Sequence, residues 1–220
     1  MRSKISAVMD LIRLPKQYGT LLLMMPTLWA LFLAAEGTPP LSLVLIFIAG
    51  CFIMRSAGCV INDIADRNFD GHVERTRSRP IPSGRLTTGE ALVVFAVLLV
   101  MALILVSQLN PLTRALSIGG ALLATLYPFS KRFTHFPQVV MGATFGWGSI
   151  MAWTAVRGSV DLPVFLIFFA NLFWATAYDT IYAIMDRDDD LRIGVKSTAI
   201  FFGPNTWIGV SFLFGLSALF

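Results

Sequence analysis

Long apolar runs constrain this chain more than any other feature of its sequence. A helix of about 20 apolar residues crosses the ~30 Å hydrocarbon core of a bilayer. Six such runs are separated by polar segments, and a seventh begins near Asn205 and continues to Phe220. The runs predict an all-α, multi-pass transmembrane helix bundle of about seven helices. The six earlier runs cover residues 19–35, 41–61, 91–107, 115–129, 139–156 and 163–184.

The composition fits a membrane protein. Hydrophobic residues make up 56% of the 220 residues and charged residues 14%, whereas soluble domains have about 45–50% and 25%. Cys51 and Cys59 lie in one apolar run without zinc or redox spacing, so we interpret them as packing residues. The single histidines, His72 and His135, stand in charged loops and are interpreted as solvated or capping residues.

The two ends of the sequence differ in character. Residues 1–13 are amphipathic and basic, which predicts an interfacial helix rather than a cleavable signal peptide. The last apolar run stops at Phe220 without a polar flank. We therefore expect residues 1–220 to form a single transmembrane domain that is truncated at its C-terminus.

Basic residues are distributed unevenly between alternate loops. The N-terminal segment and residues 64–88, 130–137 and 185–198 hold 14 of the 17 lysines and arginines. Cytoplasmic loops carry such an excess, so we expect these segments on the cytoplasmic side. No interleaved basic and aromatic platform accompanies the net charge of +4, so we expect no nucleic-acid partner.

Two rows of carboxylates close the second and sixth runs. In NDIADRNFD, Asn62, Asp66 and Asp70 are four residues apart, and at 3.6 residues per turn such positions lie on one helical face. In YAIMDRDDD, Asp186 and Asp190 repeat this spacing. Because the two helices are four spans apart they share an orientation, so a bundle could bring both rows to one mouth.

Carboxylates gathered in this way require a cationic partner. Two of them about 6 Å apart repel by about 3 kcal/mol at an effective dielectric constant near 20. Mg²⁺ is usually held by one or two carboxylates with water and substrate phosphate oxygens, so the rows predict a Mg²⁺-bound phosphorylated ligand. The alternative is that these loops are solvated surfaces with local salt bridges. The basic side chains that could bind phosphate oxygens are Arg67, Arg75, Arg77, Arg79, Lys131, Arg132, Arg187 and Lys196.

The two acidic motifs resemble those of the UbiA superfamily of intramembrane prenyltransferases, which carry NDxxDxxxD after the second helix and YAxxDxxxD after the sixth. The stretches MRSAGCVINDIADRNFDGHVERTRSRPIPSG and YPFSKRFTHFPQ look most like the branch that prenylates 4-hydroxybenzoate. The KQYG of residues 16–19 departs from that branch, which more often has proline after the lysine. The resemblance implies a single prenyltransferase domain from a nine-helix bundle, with about two helices absent from these 220 residues.

The resemblance also implies a reaction and a location. A polyprenyl diphosphate would ionise with Mg²⁺ as cofactor, and its chain would be joined to the ring carbon ortho to the hydroxyl of 4-hydroxybenzoate, a step in ubiquinone biosynthesis. These two substrates and the lipid bilayer are the expected partners, without an obligate protein partner. The expected location is the bacterial inner membrane, with the active site facing the cytoplasm.

The matching positions imply three groups of site residues. The expected metal ligands are Asn62, Asp66, Asp70, Asp186 and Asp190. The expected substrate-binding residues are Arg55, Arg67, Arg79, Tyr127, Lys131 and Lys196, and the expected catalytic residues are Asp63, Asp179 and Tyr182. Aromatic side chains could stabilise the allylic cation, although packing is the alternative for any single one. The candidates are Phe145, Trp147, Trp153, Phe173, Trp174 and Tyr178.

Arg55 and Asp179 are ionisable residues inside apolar runs, where such residues indicate function. Each lies seven residues before an expected metal ligand, about 10 Å deeper at 1.5 Å per residue. One hypothesis is that Arg55 receives the carboxylate of the aromatic acid. The alternatives are that it pairs with Asp179 or with a backbone carbonyl.

Other functions fit parts of the pattern. CDP-alcohol phosphatidyltransferases keep their acidic residues in one compact segment, whereas here the second row lies about 120 residues after the first. A divalent-cation transporter would hold its site near the midplane between broken helices. Haem O synthase, menaquinone-pathway and chlorophyll synthase enzymes share both motifs, so the identity of the acceptor depends on the longer resemblance alone.

Overall fold

The structure, a computed structural model, describes residues 4–220, except for the side chains of His72 and Ile193. This part of the chain forms ten α-helices and two short 3-10 turns, Asp70–His72 and Gly203–Asn205, and contains no strand. The predicted all-α class is therefore confirmed. The helices are α1 (Lys4–Leu11), α2 (Tyr18–Ala34), α3 (Leu41–Ala65), α4 (Thr88–Val106), α5 (Pro111–Ser130), α6 (Pro137–Arg157), α7 (Leu162–Met185), α8 (Arg187–Ile193), α9 (Thr198–Phe202) and α10 (Thr206–Leu219).

Each predicted apolar run corresponds to one long helix, α2 to α7 and α10. Five segments are long and apolar enough to cross a membrane, namely α3, α4, α6, α7 and the continuous stretch Thr198–Leu219. Helix α2 is apolar but has 17 residues, and α5 has Thr113, Arg114 and Ser117 in its first two turns. The chain is a multi-pass membrane protein.

Local sequence explains where several helices begin and end. Thr87 and Glu90 form a capping box at the start of α4. The Asn110 side chain accepts the Thr113 N–H at 2.9 Å, and Pro111 follows it as the first residue of α5, a position that suits proline because its missing N–H would be unpaired there. Gly158 ends α6 with φ 68°, a left-handed conformation that glycine adopts without strain.

Helix α6 is the centre of the bundle and packs against α2, α5 and α7, while α3 packs against α4 and α2. Few contacts join α4 to α5. A space is therefore left between the α3–α4 pair and the α5–α6 pair, and this space becomes important for the site.

Helix α1 lies against the end of the bundle that carries the acidic motifs, as an interfacial helix would. Residues 1–3 of the predicted helix lie outside the described residues. Ala7 and Leu11 are buried in a cluster with side chains of α3 and α4, whereas Ile5 is exposed. Three ion pairs attach the segment: Lys4 Nζ to Glu90 at 2.7 Å, Arg85 Nη1 to Asp10 at 2.6 Å, and Arg13 Nη2 to Asp63 at 2.7 Å.

Candidate active site

A cavity of about 640 Å³ joins the two acidic motifs to the space between the helix pairs. One end of the cavity is polar and contains both carboxylate rows. The other end is lined by apolar side chains of α3, α4, α5 and α6, such as Leu99 and Met151, and by Leu109 in the loop between α4 and α5. The fold therefore brings the two rows to a shared mouth above an apolar chamber. The cavity is lined by all five row residues, Asn62, Asp66, Asp70, Asp186 and Asp190, and also by Asp179 and Tyr182 of α7.

The first row does not lie on one continuous helix, and that prediction is wrong. Helix α3 ends at Ala65, Asp66 is its C-cap, and Asp70 begins a 3-10 turn. Turn hydrogen bonds preserve the spacing, because Asp66 N–H donates to Asn62 O and Asp70 N–H to Asp66 O, each at 2.9 Å. All three side chains consequently reach the cavity although the helix has ended.

The second row also crosses a break between helices. Asp186 ends α7 and precedes α8, and Asp190 N–H donates to its carbonyl at 2.8 Å. Gly194 ends α8 with φ 73°. Lys196 then pairs its backbone N–H with the carbonyl of Lys131 at 3.0 Å, which joins the loop after α8 to the loop after α5.

Basic side chains that line the cavity pair with carboxylates of both rows. Lys131 Nζ bonds Asp66, and Arg79 Nη1 donates to Asp70 Oδ2 at 2.9 Å. Arg75 forms a bidentate pair with Asp186, in which Nε lies 3.0 Å from Oδ1. Asp66, Asp70 and Asp186 thus have cationic partners that reduce their mutual repulsion.

Burial and neighbouring charges shift the pKa values of three groups at the polar end of the cavity, all of them outside the spanning helices. Desolvation, with Asp186 nearby, raises the pKa of Asp190 to about 6. Desolvation also raises the pKa of Asp66, although the Lys131 ammonium acts in the opposite direction. The hydrogen bonds to Asp186 raise the pKa of Arg75. Because these buried carboxylates are costly to ionise alone, a cation bound beside them would stabilise their charged forms.

The remaining predicted residues divide into two groups. Arg55, Arg79, Tyr127, Lys131 and Lys196 line the cavity. Arg67 does not, since its side chain is exposed and its Nη1 donates to Ile64 O at 2.9 Å. Asp63 does not line the cavity either and is fully buried. The substrate-binding role of Arg67 and the catalytic role of Asp63 stay predictions that these positions do not favour.

Two of the six aromatic candidates line the cavity, namely Phe145 and Trp147. Trp153 is buried at the opposite end of α6, where its Nε1 donates to Asp161 at 2.9 Å. Trp174 and Tyr178 stack on each other outside the lining, and Phe173 stacks on Phe220. Aromatic residues of one helix point in several directions, so the sequence alone could not select among them.

Arg55 lies in the cavity wall without a carboxylate partner. Its Nη1 donates to Cys59 Sγ at 2.7 Å. Within the described part of the chain it forms no ion pair with Asp179 within 4 Å and no hydrogen bond to a backbone carbonyl. Asp179 and Tyr127 are near enough to interact with it electrostatically. The described residues thus show neither the ion pair with Asp179 nor the carbonyl hydrogen bond, and the role of Arg55 stays a prediction.

Arg13 is a lining residue that the motifs did not reveal. It stands in the turn between α1 and α2 with φ 57°, and its guanidinium reaches the polar end of the cavity. The only signal in the sequence was the basic character of the N-terminal segment. Its 49-residue separation from Asn62 gave no reason to join the two.

The donor set is compatible with a hard divalent cation. The rows present carboxylate and amide oxygens, and Asp66 Oδ1 is buried without a hydrogen-bond partner. In the described residues no three His, Cys, Asp or Glu side chains converge closely enough to hold a metal by themselves. A cation here would need further ligands, as Mg²⁺ does when it keeps water and phosphate oxygens.

Similar proteins share both the sequence and the fold. The chain is 59% identical over 204 residues to 4-hydroxybenzoate octaprenyltransferase of Tolumonas auensis, covering 93% of this chain and 71% of that protein. It is 55% identical over 202 residues to the protein of the same name from Escherichia fergusonii, covering 92% and 70%. These matches agree with the expected resemblance.

Solved structures show the same arrangement of helices. A UbiA homologue from Aeropyrum pernix K1 superposes with a TM-score of 0.77 at 23% identity, over 100% of this chain and 78% of that one. A UbiA homologue from Archaeoglobus fulgidus bound to GPP and Mg²⁺ gives 0.74 at 20% identity, over 97% and 74%. At these identities the likeness supports the fold alone.

The family assignment removes the phosphatidyltransferase and the cation transporter as alternatives. Residues 23–220 match the model of the UbiA prenyltransferase family. Together with the two acidic motifs and the cavity between them, this match shows that the chain belongs to the UbiA prenyltransferase family.

Proposed function

We propose that this protein transfers a polyprenyl chain from polyprenyl diphosphate to the ring carbon ortho to the hydroxyl of 4-hydroxybenzoate, with Mg²⁺ as cofactor. The observation that carries the proposal is the single cavity that joins two carboxylate rows to an apolar chamber inside the bundle. The relatives named for this reaction support the choice of acceptor. We further propose that the site faces the cytoplasm in a bacterial inner membrane, as the distribution of basic residues favours.

The polar end suits a diphosphate. When bound, Mg²⁺ supplies positive charge that stabilises the leaving group. The side chains that would hold it are Asn62, Asp66, Asp70, Asp186 and Asp190. Lys131, Arg79, Arg75 and Lys196 also line this end and would bind the diphosphate oxygens, as arginine and lysine do for phosphates in many sites.

The apolar end suits the prenyl chain. Measured along α3, the lining runs from Asn62 to Ile46, which is 16 residues or about 24 Å at 1.5 Å per residue. Such a chamber excludes water from an allylic cation, and Phe145 and Trp147 present aromatic faces to it. The chain would therefore be held where water cannot intercept the cation.

Arg55, Tyr127 and Asp179 form a polar group deeper than the carboxylate rows. Arg55 is a cation in the cavity wall, and no carboxylate lies within ion-pair distance of it in the described residues. The carboxylate of 4-hydroxybenzoate would therefore form an ion pair with it. This contact would orient the ring with its hydroxyl side toward the allylic carbon. Asp179 would hold the phenolic proton, and Tyr182, at the mouth, would lie beside the leaving group.

The chemical step needs little covalent help from the protein. The C–O bond of the diphosphate breaks and its electron pair leaves with the diphosphate. The ring carbon then forms a bond to the allylic carbon, and the proton on that ring carbon passes to the released diphosphate. The protein contributes orientation and fixed positive charge at the oxygen where negative charge develops.

The direct test is prenyl transfer by membranes that contain the protein. They are incubated with a polyprenyl diphosphate, Mg²⁺ and a panel of aromatic acids, with and without a chelator. We expect Mg²⁺-dependent formation of 3-polyprenyl-4-hydroxybenzoate. Prenylation of another acceptor only would refute the proposed substrate, and undiminished turnover after chelation would refute the role of the metal.

A further inference from the structure

Asp63 is a buried carboxylate for which the proposed reaction has no direct use. It is 0% exposed and absent from the cavity lining. Its Oδ1 accepts hydrogen bonds from Arg13 Nη2 at 2.7 Å and from Arg79 Nη1 at 3.1 Å. Both arginines line the polar end of the cavity. Asp63 therefore lies behind the cavity wall and holds two arginines that form part of that wall.

The contact continues from Arg79 to the first carboxylate row. Arg79 Nη1 also donates to Asp70 Oδ2 at 2.9 Å, and the Thr76 hydroxyl donates to Asp70 O at 2.9 Å. The guanidinium is thus shared by a carboxylate behind the cavity and a carboxylate within it. The orientation of Asp70 depends in part on Asp63.

The contact to Arg13 holds the turn between α1 and α2. Arg13 Nη1 donates to Asp10 O at 2.9 Å, and Gln17 Nε2 donates to Arg13 O at 3.0 Å. Arg13 has φ 57°, which is uncommon for a residue other than glycine. Such a backbone persists where surrounding contacts determine it, and the ion pair with Asp63 is one of them.

Electrostatics explain why the residue between Asn62 and Ile64 should be an acid. Two guanidiniums that converge on one point repel each other, and a buried charge is tolerated only when it is paired. Asp63 supplies one charge to both arginines, and its Oδ2 has no hydrogen-bond partner in the described residues. Asp70, which shares Arg79 with it, supplies the second negative charge, so the two arginines are balanced.

We propose that Asp63 is a positioning residue, which holds Arg13 and Arg79 at the mouth of the cavity for a diphosphate and so makes the interfacial helix α1 part of the active site. The inference rests on the proposed function, because it assumes a diphosphate there. It assigns Asp63 a role through the arginines instead of the catalytic role expected from the sequence.

The test is Asp63→Asn, which keeps the shape and removes the charge. We expect the KM for polyprenyl diphosphate to rise by about 10- to 100-fold, the effect typical of losing a group that orients metal-site ligands. The KM for 4-hydroxybenzoate and the shape of the pH profile of kcat should not change. Protection of the folded protein by magnesium pyrophosphate against thermal unfolding should weaken in parallel.

A double-mutant cycle with Arg79→Ala separates positioning from simple destabilisation. If Asp63 acts through Arg79, the two changes together should raise the donor KM by much less than the product of their separate effects. Asp10→Asn is the matched control, because it breaks another ion pair that attaches α1, the pair with Arg85. Its donor KM should stay within about twofold of the wild type.

Three results would overturn the inference. They are an unchanged donor KM in Asp63→Asn, a fall in kcat alone, and independent effects in the cycle. If Asp63→Asn does not fold, Asp63→Glu keeps the charge but displaces the arginines, and an unchanged donor KM there is equally decisive. A wild type that fails to prenylate 4-hydroxybenzoate refutes the proposed function instead, and magnesium pyrophosphate protection still tests Asp63.

Discussion

At the scale of single residues, the position of one cation in the site depends on a glycine of the neighbouring helix. A Cβ atom at Gly19 would lie 2.8 Å from Arg55 Nε and 2.9 Å from Nη2. The Arg55 guanidinium occupies the space that a side chain at position 19 would fill. A glycine on one helix therefore decides where a cation on another helix can stand.

Gly19→Ala should displace Arg55 without unfolding the protein, since the clashing atoms belong to the flexible end of a side chain. We expect the KM for 4-hydroxybenzoate to rise several-fold while the KM for the donor stays near the wild-type value. Steady-state kinetics with each substrate varied would check this. Gly89→Ala, where the nearest atom would be 3.9 Å away, is the control and should leave both constants unchanged.

Replacing Arg55 by leucine tests its contact with the acid directly. If Arg55 binds the acceptor carboxylate, its loss should raise the KM for 4-hydroxybenzoate by roughly 10-fold or more, since charge-assisted hydrogen bonds contribute about 1.5–3 kcal/mol. Competition between 4-hydroxybenzoate and its methyl ester would provide the measurement. An Arg55→Leu protein that still prefers the free acid as strongly as the wild type would exclude this role.

At the scale of elements, the contact between α6 and α7 depends on two glycines. Gly142 and Gly146 lie four residues apart on one face of α6, a spacing that allows helices to approach closely in membranes. A Cβ at Gly142 would lie 2.6 Å from the carbonyl oxygen of Leu172, and one at Gly146 would lie 2.9 Å from the ring of Phe168. Because α7 carries the second carboxylate row, this packing sets its distance from the first.

Gly142→Ala should lower the free energy of unfolding by about 1–3 kcal/mol, as overpacking does, because the atom that it meets is backbone and cannot rotate away. Thermal unfolding in detergent would report the loss. Gly215→Ala in α10, where a Cβ would meet nothing within 4 Å, should unfold at or slightly above the wild-type temperature. Equal unfolding temperatures for the two variants would contradict this account of the interface.

At the scale of the whole molecule, four helices together determine the width of the apolar chamber. Helix α4 contributes large side chains such as Leu99 and Leu103, whereas α5 contributes Ser117, Gly120 and Ala121. Ser117 and Ala121 border the gap that the few contacts between α4 and α5 leave, whereas Gly120 makes room for the ring of Trp147. The chamber is a property of the bundle, and no single helix encodes it.

Ala121→Phe should narrow the chamber and discriminate between donors by chain length. We expect kcat/KM for a polyprenyl diphosphate to fall by at least 10-fold more than kcat/KM for dimethylallyl diphosphate, whose five carbons stay near the mouth. Leu122→Phe changes the next residue, which is 58% exposed and absent from the cavity lining, and should alter neither value. Equal losses for both donors would show that Ala121 does not contact the chain.

The sequence by itself determined the membrane class, the order of the seven apolar helices, and the acidic motifs at the ends of α3 and α7, because span length and motif spacing are local properties of the chain. Only the tertiary structure decided that Arg13 joins the cavity, that Asp63 stands behind it, that Arg67 turns away and that two of six aromatic candidates face inward. The physical reason is that a side chain's surroundings depend on how helices distant in sequence pack against one another. Asn62, Asp63 and Asp66 are polar and nearly adjacent in the sequence. The packing of α1, α5 and the loop after α3 around them decides which of the three reach the cavity. Asn62 and Asp66 line it, whereas Asp63 lies behind its wall and supports the arginines.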